Sequence, residues 1–114
     1  MSKLAIRLKP ETVRTLAAAS VVAGYAAVGT AFAEPSRLLI LQNLTDESVM
    51  FSFDGVNDHV AVPGPGSFVL DITANKGVAG ALFIAEGTIL YVKRIGTPTT
   101  GDVYVSTFYG DSGY

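Results

Sequence analysis

The strongest constraint on this fold is the way turn residues cut the chain beyond Arg37 into short apolar runs. Leu38-Leu39-Ile40-Leu41-Gln42 is a continuous apolar run of strand length, the pattern of a strand covered on both faces. Asn43-Leu44-Thr45-Asp46 then supplies turn chemistry, because Asn and Asp side chains bond to nearby backbone. In Ser48–Asp54, Val49, Phe51 and Phe53 alternate with polar residues, which predicts a strand with one buried side. Asp54-Gly55 and Asn57-Asp58 mark a tight turn, and Val60-Ala61-Val62 is a short strand. Pro63-Gly64-Pro65-Gly66 must be a loop. Phe68, Leu70 and Ile72 form the next alternating face, and Ala74–Gly77 turns the chain. Leu82-Phe83-Ile84 and Ile89–Lys93 give two more strands, joined at Glu86-Gly87. In the last strand Val103, Val105 and Thr107 alternate with Tyr104, Ser106 and Phe108.

About seven strands with turn signals every 8–12 residues predict an all-β fold, an antiparallel β-sandwich or small barrel. The 114 residues suit one domain. Residues 25–114 are expected to form it, with residues 1–24 as an N-terminal arm, extended or partly a short helix. Within the arm, Pro10-Glu11 resembles a first helical turn, whereas Gly24–Ala33 reads as a strand closely packed on a neighbour. Residues 11–22 fit either a short helix or an extended segment.

Charge is unevenly distributed. Residues 1–37 hold Lys3, Arg7, Lys9, Arg14 and Arg37 against Glu11 and Glu34, a balance of +3. The remaining residues hold three basic and eight acidic side chains, a balance of −5, which gives the overall −2. A basic arm on an acidic body can engage the body of a neighbouring copy. Mean hydropathy is +0.41, high for a small domain that buries only about two-thirds of its unfolded surface. Some apolar surface is therefore expected to meet a partner in a permanent assembly.

The N-terminus admits another reading. Basic residues precede an Ala-rich stretch from Leu16 that ends Ala31-Phe32-Ala33 before Glu34-Pro35, the form of a secretory signal with its cleavage site. Pro10 and Glu11 in the basic region, and Ser20, Gly24, Tyr25, Gly29 and Thr30 in the apolar one, weaken it. Loss of residues 1–33 would leave a secreted or periplasmic β-sandwich binding module. A membrane anchor fits less well still, since Ala and Gly contribute little to insertion.

Chemistry-bearing patterns are sparse. With no Cys in the chain, disulfides, thiolate metal sites and a cysteine nucleophile are excluded. The single histidine, His59, stands beside Asp54 and Asp58, and the three together are the one candidate metal or acid–base group. With no second imidazole and no nucleophile nearby, they read better as the polar tip of a hairpin. The segment also lacks the register of a calcium loop, with Pro65 at the twelfth position. The glycines around Gly64–Gly66 and Gly77–Gly80 do not lead from a strand into a helix, so they do not cradle phosphate. Lys93 and Arg94 point to opposite faces of a strand, and no serine lies in a G-x-S-x-G context. Tyr104, Phe108 and Tyr109 read as core and interface aromatics. No catalytic, cofactor or metal residue is assigned, no cofactor is expected, and the chain is read as not an enzyme.

Several stretches carry a family likeness: Arg37–Asp46, Phe51–His59, Leu70–Lys76, Glu86-Gly87-Thr88, Tyr91-Val92-Lys93, Gly96–Thr99 and Val103–Ser106. With Leu8–Glu11 and Arg14-Thr15-Leu16, they resemble small virion proteins of tailed bacteriophages, among the head and head–tail components. The resemblance covers most of the chain, on turns and strand faces, and no functional residue is carried over. It implies a structural protein in the virion, a head decoration or cement or a neck connector. Its expected partners are other copies of itself and capsid, portal or neck proteins, with no specific nucleic-acid readout and no membrane. On this reading residues 1–24 are expected to cross onto an adjacent subunit.

Overall fold

The computed structural model describes residues 7–72 and 84–111. Strands run in chain order as β1 (Arg7–Pro10), β2 (Arg14–Ala17), β3 (Ala26–Ala27), β4 (Ser36–Asn43), β5 (Val49–Ser52), β6 (Val60–Val62), β7 (Gly66–Asp71), β8 (Tyr91–Arg94) and β9 (Asp102–Asp111). The described helical structure is one 3-10 turn, Ala18–Ser20. The strands form two antiparallel sheets packed as a small β-sandwich, as the alternation predicted. One sheet has the order β1-β9-β4-β7, with β2 also pairing β9. The other has the order β3-β8-β5-β6.

The core lies between the sheets because each central strand turns one apolar row inward. Leu39 and Leu41 on β4 stand beside Val103 and Val105 on β9, and Val49, Phe51, Val62 and Val92 meet them from the second sheet. All eight are essentially inaccessible. Phe68, Leu70 and Ile84 pack against this cluster from its margin. The expected strand at Leu82–Ile84 and the turn at Ala74–Gly77 fall wholly or partly outside the described residues. Ile84 itself forms a single antiparallel bridge to Ser36.

The N-terminal expectations need correction. Residues 7–24 are not an arm detached from the body. β1 pairs with the end of β9, Arg7 opposite Asp111 and Pro10 opposite Phe108. β2 pairs with its beginning, Arg14 opposite Val105 and Ala17 opposite Asp102. Ala18 and Val21 are buried. A boundary at residue 24 therefore cuts through the sandwich. The expected strand Gly24–Ala33 shrinks to β3, because Gly29 adopts φ +72°, a left-handed turn that interrupts pairing. The segment stays docked: Val28 N–H donates to Leu90 O and Phe32 N–H to Thr88 O. Both side chains enter the core.

Two buried polar groups join the elements. Asn43, at the end of β4, donates through Nδ2 to Glu47 O at 2.8 Å and Val62 O at 3.0 Å. Its Oδ1 accepts Thr45 N–H at 3.0 Å, so the turn chemistry also links the two sheets. Arg14 projects inward from β2, 7% exposed, and binds the loop that follows β3.

Candidate functional site

Asp54, Asp58 and His59 share one turn but serve three separate tasks. Asp54 Oδ1 accepts the N–H groups of Val56 and Asn57, each at 2.8 Å, and the Ser52 hydroxyl at 2.9 Å. The Asn57 and Val56 N–H groups, with help from the Asn57 and Ser52 side chains, hold its carboxyl far below the ordinary range. Asp58 turns towards β8, where it accepts the Tyr25 hydroxyl and pairs with Lys93 Nζ at 3.0 Å. Those two contacts lower its pKa, the Tyr25 bond most. Desolvation, then the Asp58 hydrogen bond, pushes Tyr25 up to about 12. Lys93 Nζ also lies 4.8 Å from the Tyr25 ring centroid, a cation–π contact. His59 faces back, its Nδ1 accepting Phe53 N–H at 3.0 Å, which leaves the ring proton for Nε2. The three groups thus satisfy turn backbone and neighbouring strands, and their lone pairs do not converge. No group of three His, Asp or Glu among the described residues could hold a metal ion.

The second polar cluster is a clasp. Arg14 Nε donates to Thr30 O at 2.7 Å, Nη1 to Thr107 Oγ1 at 3.3 Å, and Nη2 to Ala31 O at 3.0 Å. Nη2 also pairs with Glu11 Oε1 at 2.7 Å, and the guanidinium stacks over Phe32 at 5.0 Å. Glu11 in turn accepts Ala33 N–H at 3.3 Å and Glu34 N–H at 3.0 Å. Burial raises Glu11, but Arg14 and the two N–H groups outweigh it and hold the carboxyl below its usual value. Both charges border an open cleft of about 420 Å³ that Tyr109 and Glu34 also line. The clasp spends these charges on its own backbone, so it fastens the N-terminal strands to the sandwich.

The surface suited to an outside partner is the outer face of the five-stranded sheet. The registers place Pro10, Phe108 and Leu38 in one row, with Ile40 beside Val69 one row further. Leu8 extends the face on β1, 45% exposed, and Val69 is 55% exposed at the opposite margin. Leu38, Ile40 and Phe108 are half-buried. None of the described strands packs over this face, since the second sheet covers the opposite one. Gln42, Tyr104 and Ser106 continue the face towards the other end, where the Tyr104 hydroxyl donates to Asp102 at 3.3 Å. Of the C-terminal aromatics, Tyr104 and Phe108 lie on this face, and Tyr109 lines the cleft on the other side.

Sequence reading gave Tyr104 and Phe108 to core and interface but did not single out Leu38 and Ile40, although the signal was present. A continuous Leu38–Leu41 run demands cover on both sides, and Leu39 and Leu41 account for only one. Leu8, Pro10 and Val69 join it through pairings that no local pattern encodes. The arrangement offers shape and apolar area rather than a nucleophile or a proton relay.

No family model, no curated protein and no solved structure matches the chain.

Proposed function

We propose that the chain is a non-enzymatic structural protein of a tailed-phage particle, a head decoration or neck component that acts through contacts with itself and other virion proteins. One observation carries the reading of a contact protein: β4 is apolar on both sides, and the described strands cover only one. A rigid sandwich with one apolar outer sheet face suits a lattice or ring, where contact area replaces reactive side chains. The particle assignment rests on the resemblance of the turn and strand-face motifs.

The secreted alternative is less well supported. Cleavage after Ala33 would remove β1, β2 and β3, and with them Ala18, Val21, Val28 and Phe32 from the core. Burying a Val or Phe side chain contributes roughly 1.5–3 kcal/mol, so the remainder would lose much of its stability.

Quantitative mass spectrometry of density-purified particles, produced from the genome that encodes this chain, tests the reading. Peptides spanning residues 38–93 and 95–114 should co-purify at a fixed ratio to the major capsid protein. Recovery only in the soluble fraction of the lysate would refute it.

A further inference from the structure

We infer that two copies of this chain stack the outer faces of their five-stranded sheets on one another, about a two-fold axis parallel to the strands. The inference rests on the contact-protein reading and names the partner of that face as a second copy.

The face is graded along its strands. Pro10, Phe108 and Leu38 share a row with Asp71 at its margin, and Ser106, Ile40 and Val69 form the next. Thr15, Tyr104, Gln42 and Ser67 make a polar, uncharged row beyond them. Leu44, 50% exposed, closes that end, where its N–H donates to Asp102 O. The chain carries eight basic and ten acidic residues, yet the strands of these rows turn only Asp71 and Asp102 outward. Both stand at the rim, and Asp102 accepts the Tyr104 hydroxyl. A centre cleared of charge is the compositional mark of a buried interface.

The area suffices for a stable dimer. Four strands abreast, from the row of Leu8 and Gly110 to that of Leu44, cover about 19 Å by 27 Å. Two such faces in contact hide about 1,000 Å² in projection, and side-chain relief adds to it, which reaches the size of a specific interface.

The grading selects both partner and axis. An axis parallel to the strands, between β9 and β4, lays each row on the same row of the second copy. Phe108 then meets Leu38, and Tyr104 meets Gln42, so apolar lies on apolar and amide on hydroxyl. Asp71 comes over Pro10 and Asp102 over Leu44, and no carboxylate faces another. An axis across the strands would instead set the Phe108 row on the Tyr104 row. An identical face therefore supplies a matching surface, as an isologous contact requires. Sheets so stacked lie about 10 Å apart with strands within about 30°.

The chain has no Cys, so engineered thiols report without background. Thr15 and Ser67 are both exposed, at opposite margins of one row. In the stacked dimer Thr15 of one copy lies about 10 Å from Ser67 of the other, whereas like positions stand about 17 Å apart. Full-length Thr15→Cys and Ser67→Cys proteins, mixed and treated with a short bis-maleimide, should give more heterodimer than either gives homodimer. Sedimentation should show a dimer for the wild type and for Val56→Lys, at the exposed hairpin tip, and a monomer for Val69→Lys with an unchanged melting curve. A monomeric wild type, a dimeric Val69→Lys protein, or homodimers equal to heterodimer overturns the inference. Incorporation into particles is scored separately. A monomer that enters particles sinks the stacked dimer and spares the contact-protein reading, whereas a cross-linked dimer absent from particles does the reverse.

Discussion

Replacing Arg14 with Met tests how the N-terminal strands are held. Met preserves the apolar stem over Phe32 and removes the guanidinium, and with it four hydrogen bonds at 2.7–3.3 Å. The acceptors left behind differ in cost. Thr30 O and Ala31 O belong to exposed residues that water can reach, whereas Thr107 is 1% exposed. Glu11 keeps two N–H donors but loses its counter-charge. Breaking a buried ion pair from one side costs about 3–5 kcal/mol, and the solvated carbonyls place Arg14→Met near the lower end, about 3 kcal/mol. A chain of this length has roughly 6–17 kcal/mol in total, so the protein stays folded at 25 °C. At about 4 °C per kcal/mol the melting temperature should fall by about 12 °C. Urea denaturation followed by circular dichroism gives the midpoint shift, and a cycle with Glu11→Gln isolates the pair. Arg14→Lys should recover little, because one ammonium cannot span acceptors on Thr30, Ala31, Thr107 and Glu11. A loss below about 0.5 kcal/mol for Arg14→Met, the range of ordinary surface changes, would refute the clasp.

Four further outcomes follow from the same structure. Gly101 adopts φ +87°, and an added Cβ would run into the Leu44 carbonyl oxygen, so Gly101→Ala should destabilise by about 2–4 kcal/mol in urea titration. At Gly29, φ +72° combines with a Cβ that would lie 2.8 Å from Cβ and Cγ of Arg14, so Gly29→Ala should lower stability in the same assay and keep that effect in an Arg14→Met background, where both carbons remain. The Thr99 hydroxyl and N–H draw the Asp46 pKa down to about 2 from an ordinary value of 3.8, so its stabilisation is complete above pH 4 and lost as pH falls towards 2. Asp46→Asn should therefore lower the melting temperature at pH 7 and leave it nearer wild type at pH 2, with an equal deficit at both excluding this linkage. Val69→Lys should change stability by less than about 0.5 kcal/mol while abolishing self-association in light scattering, and intact association would remove the outer face from the contact.

Local pattern made much of the sandwich legible. Period-two alternation in Ser48–Asp54 and Val103–Phe108 reports which side of a strand is dry, because successive side chains leave opposite faces. Asn43-Leu44-Thr45-Asp46 and Asp54-Gly55 marked reversals correctly, since Asx chemistry acts within a few residues. The same locality gives Asp54, Asp58 and His59 separate partners, each in its own turn or an adjacent strand.

The N-terminal third obeyed a different logic. Nothing in Leu8–Ala17 distinguishes a detached arm from two edge strands, because the deciding partner, β9, lies about 90 residues further along. Arg14 reads as part of a basic tail, yet it is buried once Thr30, Ala31 and Thr107 surround it. Sequence by itself determined the strand period, the turns and the excess of apolar residues, since these depend on near neighbours and on composition. Tertiary structure alone decided which strands share a sheet, which charges face inward and which apolar row remains uncovered. Those outcomes depend on hydrogen bonds and desolvation between residues distant in the chain, and no local period records them.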